Sequence, residues 1–264
     1  MKNLGILQGR LLKPINGLIQ EFPFVEWEKE IPLMESLGFE HFEWIINNNY
    51  FRSNPFFYCD LSDLRISSVG LDNITGASYQ QVQHILYKVL PKVISHDIHR
   101  ITFPILEESN IDDDGKRAHF IKILQDCEYY SIMQNGITFS IETDCTIEHL
   151  KEVLDKLPHA KVTYDTGNTN VAGIDHTDFI EAFHDRIDNV HIKDKDSKSL
   201  QNVPLGTGDT PFEEIFQALG ERAYDGLWTL QTSRSYTGYE YERAVTDKIF
   251  VEELHDKHFG ENLK

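Results

Sequence analysis

Residues 162–170 read V-T-Y-D-T-G-N-T-N. A β-branched and aromatic run, Val162 to Tyr164, stops on Asp165, with Gly167 and Asn168 close behind. Asp, Gly and Asn supply the backbone angles and local hydrogen bonds that end strands, so a plain turn accounts for this stretch taken alone. A carboxylate at the end of a buried strand is also where a barrel enzyme would keep a site. The rest of the chain separates the two readings.

Eight short runs rich in Ile, Val, Phe, Thr or Leu recur: 4–8, 41–46, 65–71, 100–106, 137–143, 161–165, 189–194 and 227–232. Such runs suit strands buried on both faces. Between most of them, apolar residues fall at three- and four-residue spacing, which predicts helices over 25–37, 79–95, 117–134, 147–157, 177–186, 212–219 and 239–258. Gly38 and Gly136 stand where helix C-caps belong. Thr210-Pro211-Phe212-Glu213 reads as a capping box with proline at the first helical position. The connection 47–64 is aromatic and irregular, and its helix is undefined. Strand–helix alternation repeated eight times over 264 residues predicts an α/β fold, a (β/α)8 TIM barrel in one domain spanning 1–264. A doubly wound open sheet is the competitor, but the chain has no Gly-rich phosphate loop after an early strand.

The bulk numbers narrow the function. Twenty-five basic and 43 acidic residues give a formal charge of −18, which argues against life on nucleic acid or anionic lipid. Three cysteines without a C-x-x-C pair make no disulfide framework. No apolar run reaches the roughly 20 residues of a membrane-spanning helix, and Gln8 and Arg10 interrupt any signal-like start. The expectation is a soluble cytoplasmic protein with a small-molecule ligand; homo-oligomerisation is left open.

In (β/α)8 barrels the site lies at the C-terminal strand ends. Those ends offer Gln8 and Arg10, then Glu43, Asn73, Glu107 and Glu108, Glu142, Asp165 and Asn168, His191 and Lys193, and finally Gln231 and Arg234. Glu142, Asp165 and His191 come from three consecutive strands, so their side chains can converge. Two carboxylates and an imidazole suit Mn²⁺, Zn²⁺, Co²⁺ or Fe²⁺, and burying them without a counter-charge would be costly. Alone, His191 would be an ordinary half-buried histidine and Lys193–Asp194 a surface pair. Glu107, Glu108 and Asp112–Asp114 read as a solvated loop and helix start.

The ordered set S-I-E-T-D, Y-D-T-G-N, V-H-I-K-D and V-P-L-G-T-G-D-T-P-F-E-E-I-F resembles the sugar phosphate isomerase/epimerase family, within the xylose isomerase-like TIM-barrel superfamily that also holds endonuclease IV, ketose 3-epimerases and inosose dehydratase. The opening G-I-L-Q-G-R-L is similar to one branch of it, and the likeness spans nearly the whole chain. The resemblance implies one divalent metal ion (Zn, Mn, Co or Mg) held by Glu142, Asp165, His191 and Gln231. It implies proton transfer through a metal-held enediolate on a sugar or sugar phosphate, with Glu142 as base. Lys193 joins Glu142 as a catalytic candidate. Gln8, Arg10, Glu43, Asn168 and Arg234 are the substrate-binding candidates, the arginines for an anionic group.

Gln231 departs from the pattern, because the epimerases usually carry Glu there. Glutamine offers a neutral amide oxygen and no useful proton. The expected activity is therefore isomerisation or epimerisation. The alternatives are dehydration of a keto-polyol, which needs one base, and a non-catalytic sugar-binding barrel with a degenerate site. Endonuclease IV chemistry would require further His and acidic ligands and fits poorly with the −18 charge.

Overall fold

The computed structural model describes residues 1–15, 24–47, 51–74, 76–231, 233–234 and 238–260. Tyr50 of the aromatic connection, Thr232 of the last strand run and the side chains of Asn73 and Cys127 lie outside the described residues.

Among the described residues there are ten strands. Eight of them, β1 (Leu4–Leu7), β2 (Phe42–Ile45), β3 (Ile66–Gly70), β4 (Arg100–Ile105), β5 (Thr138–Thr143), β6 (Lys161–Asp165), β7 (Ile187–Ile192) and β10 (Leu227–Leu230), close into a barrel in the order β1-β10-β7-β6-β5-β4-β3-β2. The remaining two, β8 (Asp194–Lys195) and β9 (Asn202–Val203), pair as a small antiparallel hairpin. The helices are α1 (Glu30–Ser36), α2 (Tyr79–Ser95), α3 (Asp114–Asn135), α4 (Ile147–Lys156), α5 (Thr166–Val171), α6 (His176–Phe183), α7 (Phe212–Glu221) and α8 (Glu240–Phe259). This is the (β/α)8 alternation expected from the sequence. Gly38 and Gly136 sit at φ +68° and +67° after α1 and α3, a left-handed conformation that only glycine adopts without strain.

By contacts the chain divides into Met1–His41 with Tyr164–Lys264, and Phe42–Thr163. In the second unit β2 to β5 pair in parallel, with Glu43 opposite Ser68 and Pro104 opposite Glu142. Ser68 bonds Thr102 at 2.6 Å, and Ser140 bonds Thr163 at 2.7 Å, all buried. The connection after β2 holds two single-turn 3-10 segments, Phe51–Ser53 and Pro55–Phe57, and no α-helix among its described residues. Asn54 pins it by accepting from the Trp44 indole at 2.9 Å and donating to the Ile45 carbonyl at 2.8 Å.

In the first unit β1, β10 and β7 run parallel, with Gly5 opposite Thr229 and Thr229 opposite His191. A Cβ on Gly5 would lie 2.1 Å from the His41 ring, so this strand must carry glycine where the ring passes. Outward residues dock the helices: Tyr164 stacks on Phe179 of α6, and Trp228 on Phe216 of α7.

Side chains on a strand alternate faces, and four strands share one tripeptide pattern. Ser140-Ile141-Glu142, Thr163-Tyr164-Asp165, Asn189-Val190-His191 and Thr229-Leu230-Gln231 each place a small polar residue, an apolar residue and a chemically active residue in sequence. The small polar residues satisfy one another, Thr229 donating to Asn189 at 3.0 Å and Ser140 meeting Thr163. The active residues follow two positions on, at the C-terminal strand ends.

Candidate metal and anion site

One ligand atom from each of Glu142, Asp165 and His191 lies within 4.8 Å of the others, and all three residues are buried. His191 Nδ1 stands 4.0 Å from Asp165 Oδ2.

The two oxygens of Asp165 face different partners. Oδ1 accepts the Asn168 backbone N–H at 2.8 Å and caps α5, a helix the sequence reading did not separate from the turn. Oδ2 faces His191 and the Lys193 ammonium, which lies 2.7 Å away. That contact is a close ion pair between two buried side chains. Burial opposes ionisation of Asp165, but the charges of Lys193 and His191 outweigh it and hold the carboxyl below its ordinary value.

Lys193 is buried, not part of a surface pair. Its backbone is gripped from both sides by Thr166, whose hydroxyl accepts the Lys193 N–H at 3.0 Å and donates to its carbonyl at 2.6 Å. A Cβ on Gly167 would lie 3.1 Å from Lys193 Cγ, so the first turn of α5 fits the lysine closely. Asp194 is buried as well and accepts from Gly208 N at 2.8 Å and Thr210 N at 3.2 Å, tying the segment between β9 and α7 back to β8. This replaces the expected capping box. The cap residue of α7 is Pro211, with no side-chain cap bond, and Thr210 gives Asp194 its backbone N–H instead.

Gln231 follows β10, and its backbone N–H bonds the Ile192 carbonyl at 3.0 Å. Its Nε2 lies 2.7 Å from His191 Nδ1, while its Oε1 is buried without a partner. Nitrogen and oxygen of an amide are assigned from the bonds they make; turned over, the same group would present its oxygen toward His191. The donor set, two carboxylates, one imidazole and one amide oxygen, with Gln231 Oε1 buried and without a hydrogen-bond partner, fits a divalent cation.

A second charged group lies in the same unit. Arg10 is buried in the turn after β1, and Arg234, half-buried in the chain after β10, donates to the Leu12 carbonyl at 2.8 Å. Within electrostatic reach of both is Glu30 of α1, 1% exposed, which accepts Gly9 N at 2.8 Å and Leu11 N at 2.9 Å. Burial pushes the Glu30 carboxyl up, against the pull of those two N–H groups and of Arg234 and Arg10. Burial also brings Arg234 down to about 10. Sequence reasoning missed Glu30, because nothing in W-E-K-E-I-P marks one glutamate as the buried one.

The remaining candidates are placed as follows. Gln8 is buried just after β1. Glu43 is buried on β2 and faces β3, where a Cβ on Gly70 would lie 3.3 Å from its Oε1. Asn168 is buried in the first turn of α5. Asp112 is exposed, as expected, and there accepts Thr146 N at 3.0 Å and meets His149 Nδ1 at 2.6 Å. Among the described residues, no helix is long and apolar enough to cross a membrane.

The family model described as xylose isomerase-like TIM barrel matches residues 97–249, more than half of the chain. Comparison with curated proteins returns no match. Among solved structures, D-allulose 3-epimerase from Methylomonas sp. in complex with D-allulose superposes with a TM-score of 0.72 at 16% identity, covering 95% of this chain and 96% of that one. The IOLI protein with a bound zinc atom gives 0.74 at 14% identity, covering 97% and 99%. The 3-keto-D-glucoside 4-epimerase YcjR from E. coli gives 0.69 at 14% identity, covering 96% and 100%. At these identities the likeness shows a common fold.

Proposed function

The chain belongs to the xylose isomerase-like TIM barrel family, and from that premise we propose that it is a divalent-metal-dependent isomerase or epimerase of a sugar or sugar phosphate. The observation that carries the reading is the convergence of Glu142, Asp165 and His191, with the buried Gln231 amide oxygen nearby left without a hydrogen-bond partner. The sugar epimerases and the zinc-bound protein that share the fold support the same reading.

Glu142, Asp165 and His191 would hold the ion, with Gln231 Oε1 as the fourth donor. Such an ion acts as a Lewis acid that polarises a carbonyl and acidifies the neighbouring C–H. Glu142 is the base that removes that proton and returns it. The Lys193 ammonium, kept in place by Thr166, supplies a positive charge for the oxygen that becomes negative. Gln231 cannot accept or return a proton in this range, so the proton travels on one carboxylate. A single base serves transfer between adjacent carbons on one face of the sugar more readily than inversion, which needs proton delivery to the opposite face. Dehydration of a keto-polyol is the second reading, since it too needs one base.

The test is proton exchange. Protein loaded with Mn²⁺ or Zn²⁺, incubated in D2O with a panel of ketoses and their phosphates, should place deuterium beside the carbonyl of one of them, and Glu142→Gln should abolish this. Water loss instead of isomer formation would select the dehydratase. No exchange anywhere in the panel, with ligand binding retained, would leave only a binding protein.

A further inference from the structure

We propose that Glu30 is a positioning residue that sets Arg10 and Arg234 as a subsite for an oxyanion, the phosphate or carboxylate of the substrate. The inference deepens the functional reading above and rests on its sugar ligand carrying an anionic group.

Glu30 lies on α1, yet both of its carboxylate oxygens are spent on the turn after β1. One takes the N–H before Arg10 and the other the N–H after it. Gly9, at φ +83°, allows the turn, and Arg10 N–H closes it on the Leu7 carbonyl at 3.3 Å. The arginine backbone is thus fixed on both sides by one buried side chain. Register then places the turn. Ile6 is opposite Leu230, so the residues that follow β1 run level with Gln231 and the chain beyond it. Arg234 completes the weld by donating to Leu12, in the same turn. Two guanidiniums are brought to one end of β1 and β10 in a protein whose formal charge is −18. Guanidinium groups bind phosphate and carboxylate through paired N–H donors, a geometry that fails when the fork is misaimed.

A purely electrostatic role and a positioning role predict opposite signs for one substitution. Glu30→Gln removes a negative charge beside two arginines, which by Coulomb's law alone should tighten anion binding. It also replaces one acceptor oxygen by a donor that faces a backbone N–H, which should release the turn and loosen binding.

Calorimetric titration with inorganic phosphate, and separately with acetate, is the experiment, at one pH and ionic strength. It covers the wild type, Arg10→Ala, Glu30→Gln, Glu30→Asp and the double variant Arg10→Ala/Glu30→Gln. The wild type should bind phosphate saturably. Arg10→Ala and Glu30→Gln should each weaken it roughly ten-fold or more, the loss of a hydrogen bond to a charged group, and the double variant should be no weaker than Arg10→Ala. Glu30→Asp keeps the charge and shortens the reach, so it too should weaken binding; it carries the test if the glutamine variant does not fold. Preference for phosphate over acetate would assign a sugar phosphate, and the reverse a sugar acid. Tighter or unchanged phosphate binding in a folded Glu30 variant, additive loss in the double variant, or a wild type that binds neither anion would each overturn the proposal. Anion binding without deuterium exchange on any ketose would sink the isomerase reading and leave the subsite standing.

Discussion

Replacing Gln231 by Glu tests the proposed metal site at the position where the sequence resemblance leads one to expect Glu. The amide stands 2.7 Å from His191 Nδ1 with its oxygen buried and unsatisfied. The substitution adds one negative charge to a group that already holds Glu142 and Asp165. At an effective dielectric near 20, two unit charges about 4 Å apart interact by about 4 kcal/mol. Without metal, the new carboxylate repels its two neighbours and loses the donor that now faces His191, so the protein should be destabilised by several kcal/mol. With metal, the same charge attracts a divalent ion, and affinity should rise by roughly two orders of magnitude or more. The difference between the two states is the measurement. Thermal unfolding with excess EDTA and with saturating Mn²⁺ should show a wider gap between the two Tm values in the variant than in wild type, because a ligand bound only by the folded state stabilises in proportion to its affinity. Turnover should fall, since a better-neutralised ion polarises a carbonyl less. An equal gap in both proteins would mean that residue 231 does not approach the ion.

Asp247 of α8 offers a pH test. Burial and the nearby Asp194 push its carboxyl from an ordinary 3.8 up to about 6 against the opposing pull of Arg243, whose Nη1 lies 3.6 Å away. The folded state therefore favours the protonated form: this contribution is fully present below pH 3.8 and lost as pH rises through about 6. The loss is worth roughly 3 kcal/mol. Urea unfolding should show Asp247→Asn more stable than wild type at pH 8, with the advantage shrinking at pH 5; a less stable variant at pH 8 would show that the Arg243 pair outweighs burial. Gly167→Ala places a methyl 3.1 Å from Lys193 Cγ and 3.2 Å from its carbonyl oxygen. Overpacking of this kind costs about 1–3 kcal/mol, and deuterium exchange should fall as Lys193 is displaced; wild-type exchange with wild-type Tm would remove Lys193 from the mechanism.

The strands were legible because each is short, apolar and set off by helical spacing, and α2 begins and ends at the residues the spacing predicts. Glu142, Asp165 and His191 were legible because three consecutive strand ends carried ligand chemistry. What was overlooked is the two-residue rhythm within the strands. Read as buried on both faces, Thr163, Asn189 and Thr229 look like strand formers, although each is in a buried hydrogen-bonded polar pair, Thr163 with Ser140 and Thr229 with Asn189. Helix α5 was missed because six residues are too few for a periodic signal, and Asp165 serves as strand end and cap at once. Thr210 misled because a capping motif cannot reveal that a distant carboxylate, Asp194, will take its backbone N–H first. Glu30 was beyond reach for the same reason: its partners are 19 and 21 residues away in the chain.

The double employment of Asp165 limits what can replace it. A glutamate would serve a metal as well, but its longer side chain suits an N-cap poorly. An asparagine would keep the cap and surrender the charge. A histidine would lose the cap's acceptor geometry. Position 165 thus has a vocabulary of one residue, because each alternative satisfies only one of its two oxygens' duties. Gln231 is differently placed. Its backbone is already secured to Ile192, and its side chain caps no helix. A change there alters the charge beside His191 without unfastening any element of the barrel, so the last strand is where this chain can vary its chemistry at least cost to its fold.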